Sequence, residues 1–187
     1  MNSLTRTKLQ RRFELFDDDR DGRVSKADYD RLAVRLAEAS DSEPDSDPAQ
    51  RLRQEYDEGW LRMCKQLGRG TDTSMNREEF VDAWHGVQEA YGFTTSILPI
   101  VDTVIAAMDR NGDGALDVQE FTRWLAAYGV DQASALEAFE HLDRDHDGLI
   151  RRDELTSAFE EFFLSTDASA PGNWLYGPLA SASAAAG

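Results

Sequence analysis

Three times in this chain oxygen-bearing side chains recur at every second residue and a glycine follows at the sixth position, a pattern few local structures tolerate. Asp109 to Glu120 reads D-R-N-G-D-G-A-L-D-V-Q-E, with Asp109, Asn111, Asp113, Asp117 and Glu120 at positions 1, 3, 5, 9 and 12. Asp143 to Glu154 reads D-R-D-H-D-G-L-I-R-R-D-E, and Asp17 to Asp28 reads D-D-D-R-D-G-R-V-S-K-A-D. The glycines (Gly114, Gly148, Gly22) mark a sharp turn at positive φ, a conformation that costs glycine nothing. Carboxylates crowded in this way call for a cation. Ca²⁺ takes six to eight hard oxygens at roughly 2.3–2.6 Å, and a twelve-residue turn with this spacing brings them to one point. Leu116, Ile150 and Val24, at position 8, are apolar and suit a short β-contact with a partner turn.

This spacing resembles the EF-hand loop, and its threefold recurrence makes it a repeat. A fourth, altered copy fits between the first and the third. Counting back from Glu79 as position 12 puts Gly68 and Gly70 at positions 1 and 3, and Thr73 where the glycine belongs. This turn keeps the pairing residue Met75 and the exiting stripe Phe80, Trp84, Val87 and Tyr91, without the ligands. It is expected to be structural, a partner for the first turn.

Apolar residues at helical spacing flank every turn. Leu9, Phe13 and Phe16 lead into the first, within a helix over residues 3 to 16, and Lys8, Arg11 and Arg12 are expected on its solvated faces. Tyr29, Leu32, Ala33 and Leu36 lead out. Residues 40 to 48 read as a polar connector, with Asp47 as N-cap and Pro48 in the first turn of the next helix. That helix carries Leu52, Tyr56, Trp60, Met63 and Leu67. Gly92 to Ser96 is expected as a connector between halves, with Pro99 in a first helical turn. Val101, Val104, Ile105 and Met108 enter the third turn; Phe121, Trp124, Leu125 and Tyr128 leave it. Gly129 should end that helix and Asp131 should cap the next, whose stripe is Ala135, Phe139 and Leu142. Leu155, Ala158, Phe159, Phe162 and Phe163 follow the last turn. These aromatic stripes read as core, with no polar groups converging among them. Ala170 to Leu179 places Trp174, Leu175, Tyr176 and Leu179 among helix breakers and is expected to fold back into a groove, since so apolar a segment is a liability when exposed. The sharper version is a plug that Ca²⁺ seats or releases. Ser181 to Gly187 reads as a disordered end.

The fold class is therefore all-α: a compact two-lobed protein of two paired hands with short β-contacts between paired loops. The boundaries are residues 1–92 for the N-terminal pair, 93–165 for the C-terminal pair and 166–187 for the tail. A net charge of −16 repels nucleic acid and anionic membranes and attracts cations. The single cysteine, Cys64, cannot form an internal disulfide and fits a reducing compartment as a buried thiol. No stretch suits a signal peptide or a membrane span, so the expected location is the cytoplasm and the expected state a monomer.

Three intact loops with a degenerate second one resemble the sarcoplasmic calcium-binding proteins and their bacterial calerythrin-like relatives, over roughly residues 5 to 163. The resemblance rests on D-D-D-R-D-G, D-R-N-G-D-G and D-R-D-H-D-G with their terminal acids. It implies a compact helical protein that buffers or carries Ca²⁺. The implied metal residues are Asp17, Asp19, Asp21 and Asp28; Asp109, Asn111, Asp113 and Glu120; and Asp143, Asp145, Asp147 and Glu154. Position 7 would add a backbone carbonyl from Arg23, Ala115 and Leu149. Two departures matter. Asp28 is shorter than the usual glutamate, so weaker Ca²⁺ binding or tolerance of Mg²⁺ is expected there. Arg151, at position 9, cannot ligate.

The functional expectation is a non-catalytic Ca²⁺ buffer or transport protein with three sites, the third and fourth loops coupled through Leu116 and Ile150. The alternative is a sensor that binds a protein target. Flexible methionine-rich grooves serve promiscuous sensors, and this chain has four methionines against nine phenylalanines. Coelenterazine photoproteins share the three-plus-one loop pattern and need histidines beside aromatics in a cavity. Here His146 lies inside a loop at position 4, His141 is expected at the surface, and His85 stands without such a constellation. No nucleophile–base pair, phosphate-binding glycine loop or zinc spacing points to an enzyme.

Overall fold

Position 8 is where the turns meet. In the computed structural model, which describes residues 1–40 and 46–179, positions 7 to 9 of every turn form a short strand. These are β1 (Arg23–Ser25), β2 (Ser74–Asn76), β3 (Ala115–Asp117) and β4 (Leu149–Arg151). β1 pairs antiparallel with β2 and sets Val24 opposite Met75; β3 pairs with β4 and sets Leu116 opposite Ile150. All four side chains are fully buried. Strands this short are not stable alone, so the flanking helices must close over them.

Those helices are α1 (Ser3–Phe16), α2 (Lys26–Ala39), α3 (Asp47–Gln66), α4 (Arg77–Ser96), α5 (Leu98–Met108), α6 (Val118–Ala127), α7 (Gln132–Leu142) and α8 (Arg152–Leu164), followed by a 3₁₀ turn at Pro171–Trp174. Asp131 caps α7, accepting from the Ser134 amide at 3.0 Å. At the end of α6, Gly129 has φ +79°. The Val130 amide donates to the Leu125 carbonyl and the Gly129 amide to that of Ala126, at 3.2 and 2.9 Å, which is a Schellman end. Pro99 lies in the first turn of α5.

Two boundaries differ from expectation. Asp47 is the first helical residue of α3, not its cap; Ser46 takes the cap position. The expected connector at 92–96 shrinks to one non-helical residue, Gly92, at φ 68° and ψ 173°. Only glycine takes that backbone without strain, so the chain changes direction there and resumes helix at once. The Ser96 hydroxyl donates to the Gly92 carbonyl at 2.6 Å and secures the break. Residues 41–45 of the expected polar connector, and the expected disordered end at Ser181–Gly187, lie outside the described residues.

The aromatic stripes meet in one hydrophobic core that runs through both pairs. Phe16 of the first hand lies 4.8 Å from Tyr29 and 6.1 Å from Tyr128, between ring centres, and Tyr128 lies 5.2 Å from Tyr176. α2 packs on α6, α3 on α5 and α1 on α8.

Lys8 and Arg12 correct the reading of α1. Both are buried, because α8 and the tail cover the face expected to meet solvent. Lys8 Nζ donates to the Glu161 and Ser165 carbonyls at 2.8 and 3.0 Å, satisfying the open end of α8. Its burial pushes the ammonium down to about 8. The Arg12 guanidinium sits 4.4 Å from the Trp84 ring centre and 4.5 Å from that of Phe16, and donates to the Tyr176 hydroxyl at 2.8 Å. Among the described residues no carboxylate pairs with it, so cation–π contacts and one phenol replace its water. Polar groups thus do converge in the aromatic core, contrary to the sequence reading.

The tail folds back as expected. Leu175 and Tyr176 are buried, Arg11 Nη2 donates to the Tyr176 carbonyl at 3.2 Å, and the Gly172 amide donates to Glu161 Oε2 at 2.7 Å. A Cβ on Gly172 would lie 2.5 Å from the Ala158 carbonyl oxygen and 2.6 Å from Glu161 Cβ. Gly172→Ala should therefore lift the turn off α8 and cost about 1–3 kcal/mol, read as a lower urea midpoint at unchanged slope. Leu175→Ala, which empties a core position, should cost about 2–5 kcal/mol in the same measurement.

Candidate metal centres

Each acidic loop is bent by its own side chains. In loop three, Asp109 Oδ1 accepts from the Gly112 amide at 2.7 Å and Oδ2 from the Gly114 amide at 2.8 Å. Asn111 Oδ1 accepts from the Asp113 amide at 2.8 Å, and Asp113 Oδ1 from the Ala115 amide at 3.0 Å. Loop four repeats this: Asp143 accepts from Asp147 and Gly148, Asp145 from Asp147, and Asp147 from Leu149. In loop one Asp17 accepts from Gly22, Asp19 from Asp21, and Asp21 from Arg23. Short polar side chains that bond backbone two to five residues ahead favour such turns over helix or strand.

Positions 4 and 6 both take positive φ, at Arg20 and Gly22, Gly112 and Gly114, and His146 and Gly148. The three loops therefore share one backbone path. Its effect is to gather acids: one oxygen each from Asp17, Asp19 and Asp21 lie within 4.8 Å of one another, as do those from Asp143, Asp145 and Asp147. Loop three substitutes the neutral Asn111 at the matching place. Arg23, Ala115 and Leu149 open strands β1, β3 and β4.

The position-12 acids separate the loops. Glu120 Oε1 accepts from the Arg110 amide at 2.8 Å and Oε2 from the Asp117 amide at 2.9 Å. Glu154 does the same with the Arg144 and Arg151 amides, at 2.9 and 3.0 Å. Each glutamate thus spans its loop from the exiting helix to position 2. Asp28 bonds its own side of the loop instead. Its Oδ2 accepts from the Ser25 amide at 2.7 Å and from the Ser25 hydroxyl at 2.6 Å, and its Oδ1 pairs with Arg31.

The electrostatics fit a cation. Asp17 Oδ1 is buried with no hydrogen-bond donor, and an orphaned carboxylate oxygen is costly unless a positive partner reaches it. Burial first, then the like charges of Asp21 and Asp28, raise the Asp17 carboxyl above its usual range against the pull of the Gly22 amide. In loop four the Arg151 guanidinium bonds Asp147 and holds that carboxyl below its usual range.

Loop two is built otherwise. Its positive φ falls at position 1, Gly68, and no aspartate gathers there. Glu79 receives the Asn76 amide at 2.9 Å and the Arg69 guanidinium, and Arg69 pulls its carboxyl down. A side-chain cation answers the position-12 acid of this loop, which also keeps Asp72 at position 5 and Glu78 at position 11. His141, expected at the surface, is exposed and stacks on Trp174 at 4.2 Å. The sequence reading missed Arg31 and Arg69; the three-residue spacing from Asp28 to Arg31, which puts both on one helix face, was the available signal.

Two antiparallel loop pairs, with helices entering and leaving every loop, acids converging in loops one and four and the same backbone path in loop three, define a helical protein that binds calcium through its loops. A profile of the EF hand matches residues 9–33, 100–126 and 136–159, which span loops one, three and four. Calerythrin of Saccharopolyspora erythraea is 30% identical over 158 residues, 83% of this chain and 89% of that protein. The luciferin-binding protein of Renilla reniformis is 28% identical over 92% of each. A solved Streptomyces coelicolor calcium-binding protein superimposes with a TM-score of 0.73 at 27% identity, covering 87% of this chain and 99% of that one. The chain belongs to the EF-hand family of calcium-binding proteins, with calerythrin among its relatives. Among the described residues no single helix is long and apolar enough to cross a membrane.

The shared backbone path generates a test. Gly148 has φ +85° and open space where a Cβ would sit, so Gly148→Ala isolates conformational strain from crowding. It should destabilise the metal-free protein by about 1–2 kcal/mol in chemical unfolding. Gly70→Ala in loop two, where φ is not positive and the space is also open, should cost far less.

Proposed function

We propose that the protein is a non-catalytic cytoplasmic calcium buffer with three working loops and one structural loop. On this reading the ions are held by Asp17, Asp19, Asp21, Asp28 and the Arg23 carbonyl; by Asp109, Asn111, Asp113, Glu120 and the Ala115 carbonyl; and by Asp143, Asp145, Asp147, Glu154 and the Leu149 carbonyl. Residues 1–92 then hold one working loop and its scaffold partner, residues 93–165 hold a coupled pair, and the segment from Thr166 straps the core. Bound Ca²⁺ supplies charge that relieves carboxylate repulsion. Asp109 closes α5 and Glu120 lies in the first turn of α6, so an ion shared between them ties the two helices of the hand together. Loop one, with Asp28, is the weaker site and the one to accept Mg²⁺. Affinities for loops of this kind span about 10⁻⁹ to 10⁻⁵ M.

The observation that carries the buffer reading is the fate of the apolar side chains. The aromatic stripes are spent on one core, and among the described residues the exposed large apolar side chains (Met1, Val34, Leu61, Val118, Leu136, Leu164) are spread over the N-terminus and five different helices rather than gathered on one. A small-molecule carrier role, such as the name of the Renilla relative implies for that protein, finds little room inside the core; the larger clefts among the described residues, about 810 Å³ beside Arg11, Asp17 and Tyr128 and about 310 Å³ beside Leu9 and Phe163, open to solvent. The enclosed void beside Arg12, Tyr56 and Trp84 is about 10 Å³, about one water at most. The regulatory reading has the Streptomyces structure in its favour, a protein described in terms of calcium-mediated regulation.

Calorimetric titration of the metal-free protein with Ca²⁺ should give three equivalents, two in a coupled high-affinity phase. Glu120→Gln should remove one equivalent and weaken its partner in loop four. Saturation at one equivalent or none would overturn the assignment. A dye that brightens on exposed apolar surface should change little on adding Ca²⁺; a large rise would replace the buffer by a sensor with a protein target.

A further inference from the structure

Arg31 stands on the third residue after Asp28, one turn into α2, and its guanidinium touches three acids of loop one. Nε donates to Asp18 at 2.6 Å, and Nη2 reaches Asp19 at 3.3 Å and pairs with Asp28 Oδ1. One side-chain cation therefore bridges positions 2, 3 and 12 of a loop whose carboxylates are otherwise arranged for a metal. Asp28 is almost fully buried while Arg31 is 41% exposed, so the anion is fixed and the cation can leave into water.

The reason lies in one methylene group. Glu120 and Glu154 span their loops and take the position-2 amides of Arg110 and Arg144. Asp28 bonds only Ser25 and Arg31, so its outward oxygen takes the guanidinium that the helix spacing offers. Loop two shows where this arrangement leads when the acids of positions 1 and 3 are gone: Arg69 pairs with Glu79, the position-12 acid, and Arg23 Nη2 lies 3.9 Å from its other oxygen. Loop four differs, since the Arg151 guanidinium bonds Asp147 at position 5 and leaves Glu154 to backbone amides.

We propose that Arg31 is a built-in competitor that sets the calcium affinity of loop one: the ion and the guanidinium use the same oxygen of Asp28, so binding one releases the other. The inference rests on the reading of loop one as a calcium site. Loop one then fills last, exchanges fast, and binds in a way that depends on ionic strength, because salt weakens the contact that must be broken. The affinity-setting residue lies outside the twelve-residue loop and makes no contact of its own with the ion.

The test is a Ca²⁺ titration of the full chain at low and high salt, comparing wild type with Arg31→Met and Arg31→Lys. The loop-one step is identified as the one that Asp17→Asn removes. Arg31→Met keeps the aliphatic stem and loses the fork. It should bind the loop-one ion about tenfold more tightly, the size expected from losing a charge-assisted contact to a half-exposed partner. Added salt should weaken its loop-one step more than in wild type, where screening of the Arg31 contacts offsets part of the screening of the ion, while the other two steps stay as in wild type. Arg31→Lys, with a point charge in place of the fork, should fall between the two. The metal-free Arg31→Met protein should unfold at a lower urea midpoint, and the difference should vanish at saturating Ca²⁺, which a merely structural role would not produce. Three equivalents in wild type and in both Arg31 variants, with an unchanged or weaker loop-one step in Arg31→Met, would overturn the role of Arg31 alone. Two equivalents in every protein would overturn loop one as a site, and the inference with it.

Discussion

Crowded carboxylates are the constraint from which the rest of this structure follows. A turn that brings Asp143, Asp145 and Asp147 within 4.8 Å of one another has to answer their repulsion before any ion arrives. It does so with its own backbone: amides at positions 5, 6 and 7 turn inward and bond the acids that precede them. Positive φ at positions 4 and 6 lets successive N–H groups face one side, the concave arrangement that suits anions generally. The glutamate at position 12 completes it by reaching back to the amide at position 2. The cage is therefore preorganised by the anion-binding habit of the polypeptide, and the cation enters a shape already made.

Loop two illustrates what remains when the acids at positions 1 and 3 are replaced by Gly68 and Gly70 but the turn is still required. Val24 needs Met75 opposite it, and both lie at the bottom of a core that holds Phe16, Tyr29 and Trp60. An isolated loop would leave that strand edge unpaired and Val24 exposed. The second loop therefore keeps its strand, its Asn76–Glu79 capping box and its exiting helix, and replaces metal charge by guanidinium charge. Stability supplies the reason to keep a hand that has lost its ligands.

What the chain discloses to a reader of its letters follows a physical divide. The loops, the strand partners, the Gly129 end and the Asp131 cap were legible because each depends on residues within a few positions of one another. The back-folding tail was legible too, since Trp174, Leu175 and Tyr176 had to go somewhere dry. Arg12 and Lys8 were misread because their environment is made by α8 and the tail, more than 150 residues away. Charge alone pointed them outward; a helix wrapped on two sides keeps only a narrow outward face, at Arg6 and Glu14. The connector at Gly92 was misread for the opposite reason, since a single glycine absorbed a change of direction that the whole stretch from Gly92 to Ser96 had suggested. Arg31 lay in plain view, yet a loop read as twelve residues gave no cause to look at the fifteenth.

The joining of Arg12 to Tyr176 spans 164 residues, and it closes the molecule from one end of the chain to the other. During synthesis the first helix leaves the ribosome with a cation that has no dry place to go until the final stretch has followed it out. The hands, being local, are free to form as they emerge, whereas the interior that unites them waits for Tyr176. Ordering of so distant a contact comes late because loop closure must precede any gain from it. Metal cages built from a dozen neighbouring residues thus need far less chain than the dry centre that joins them.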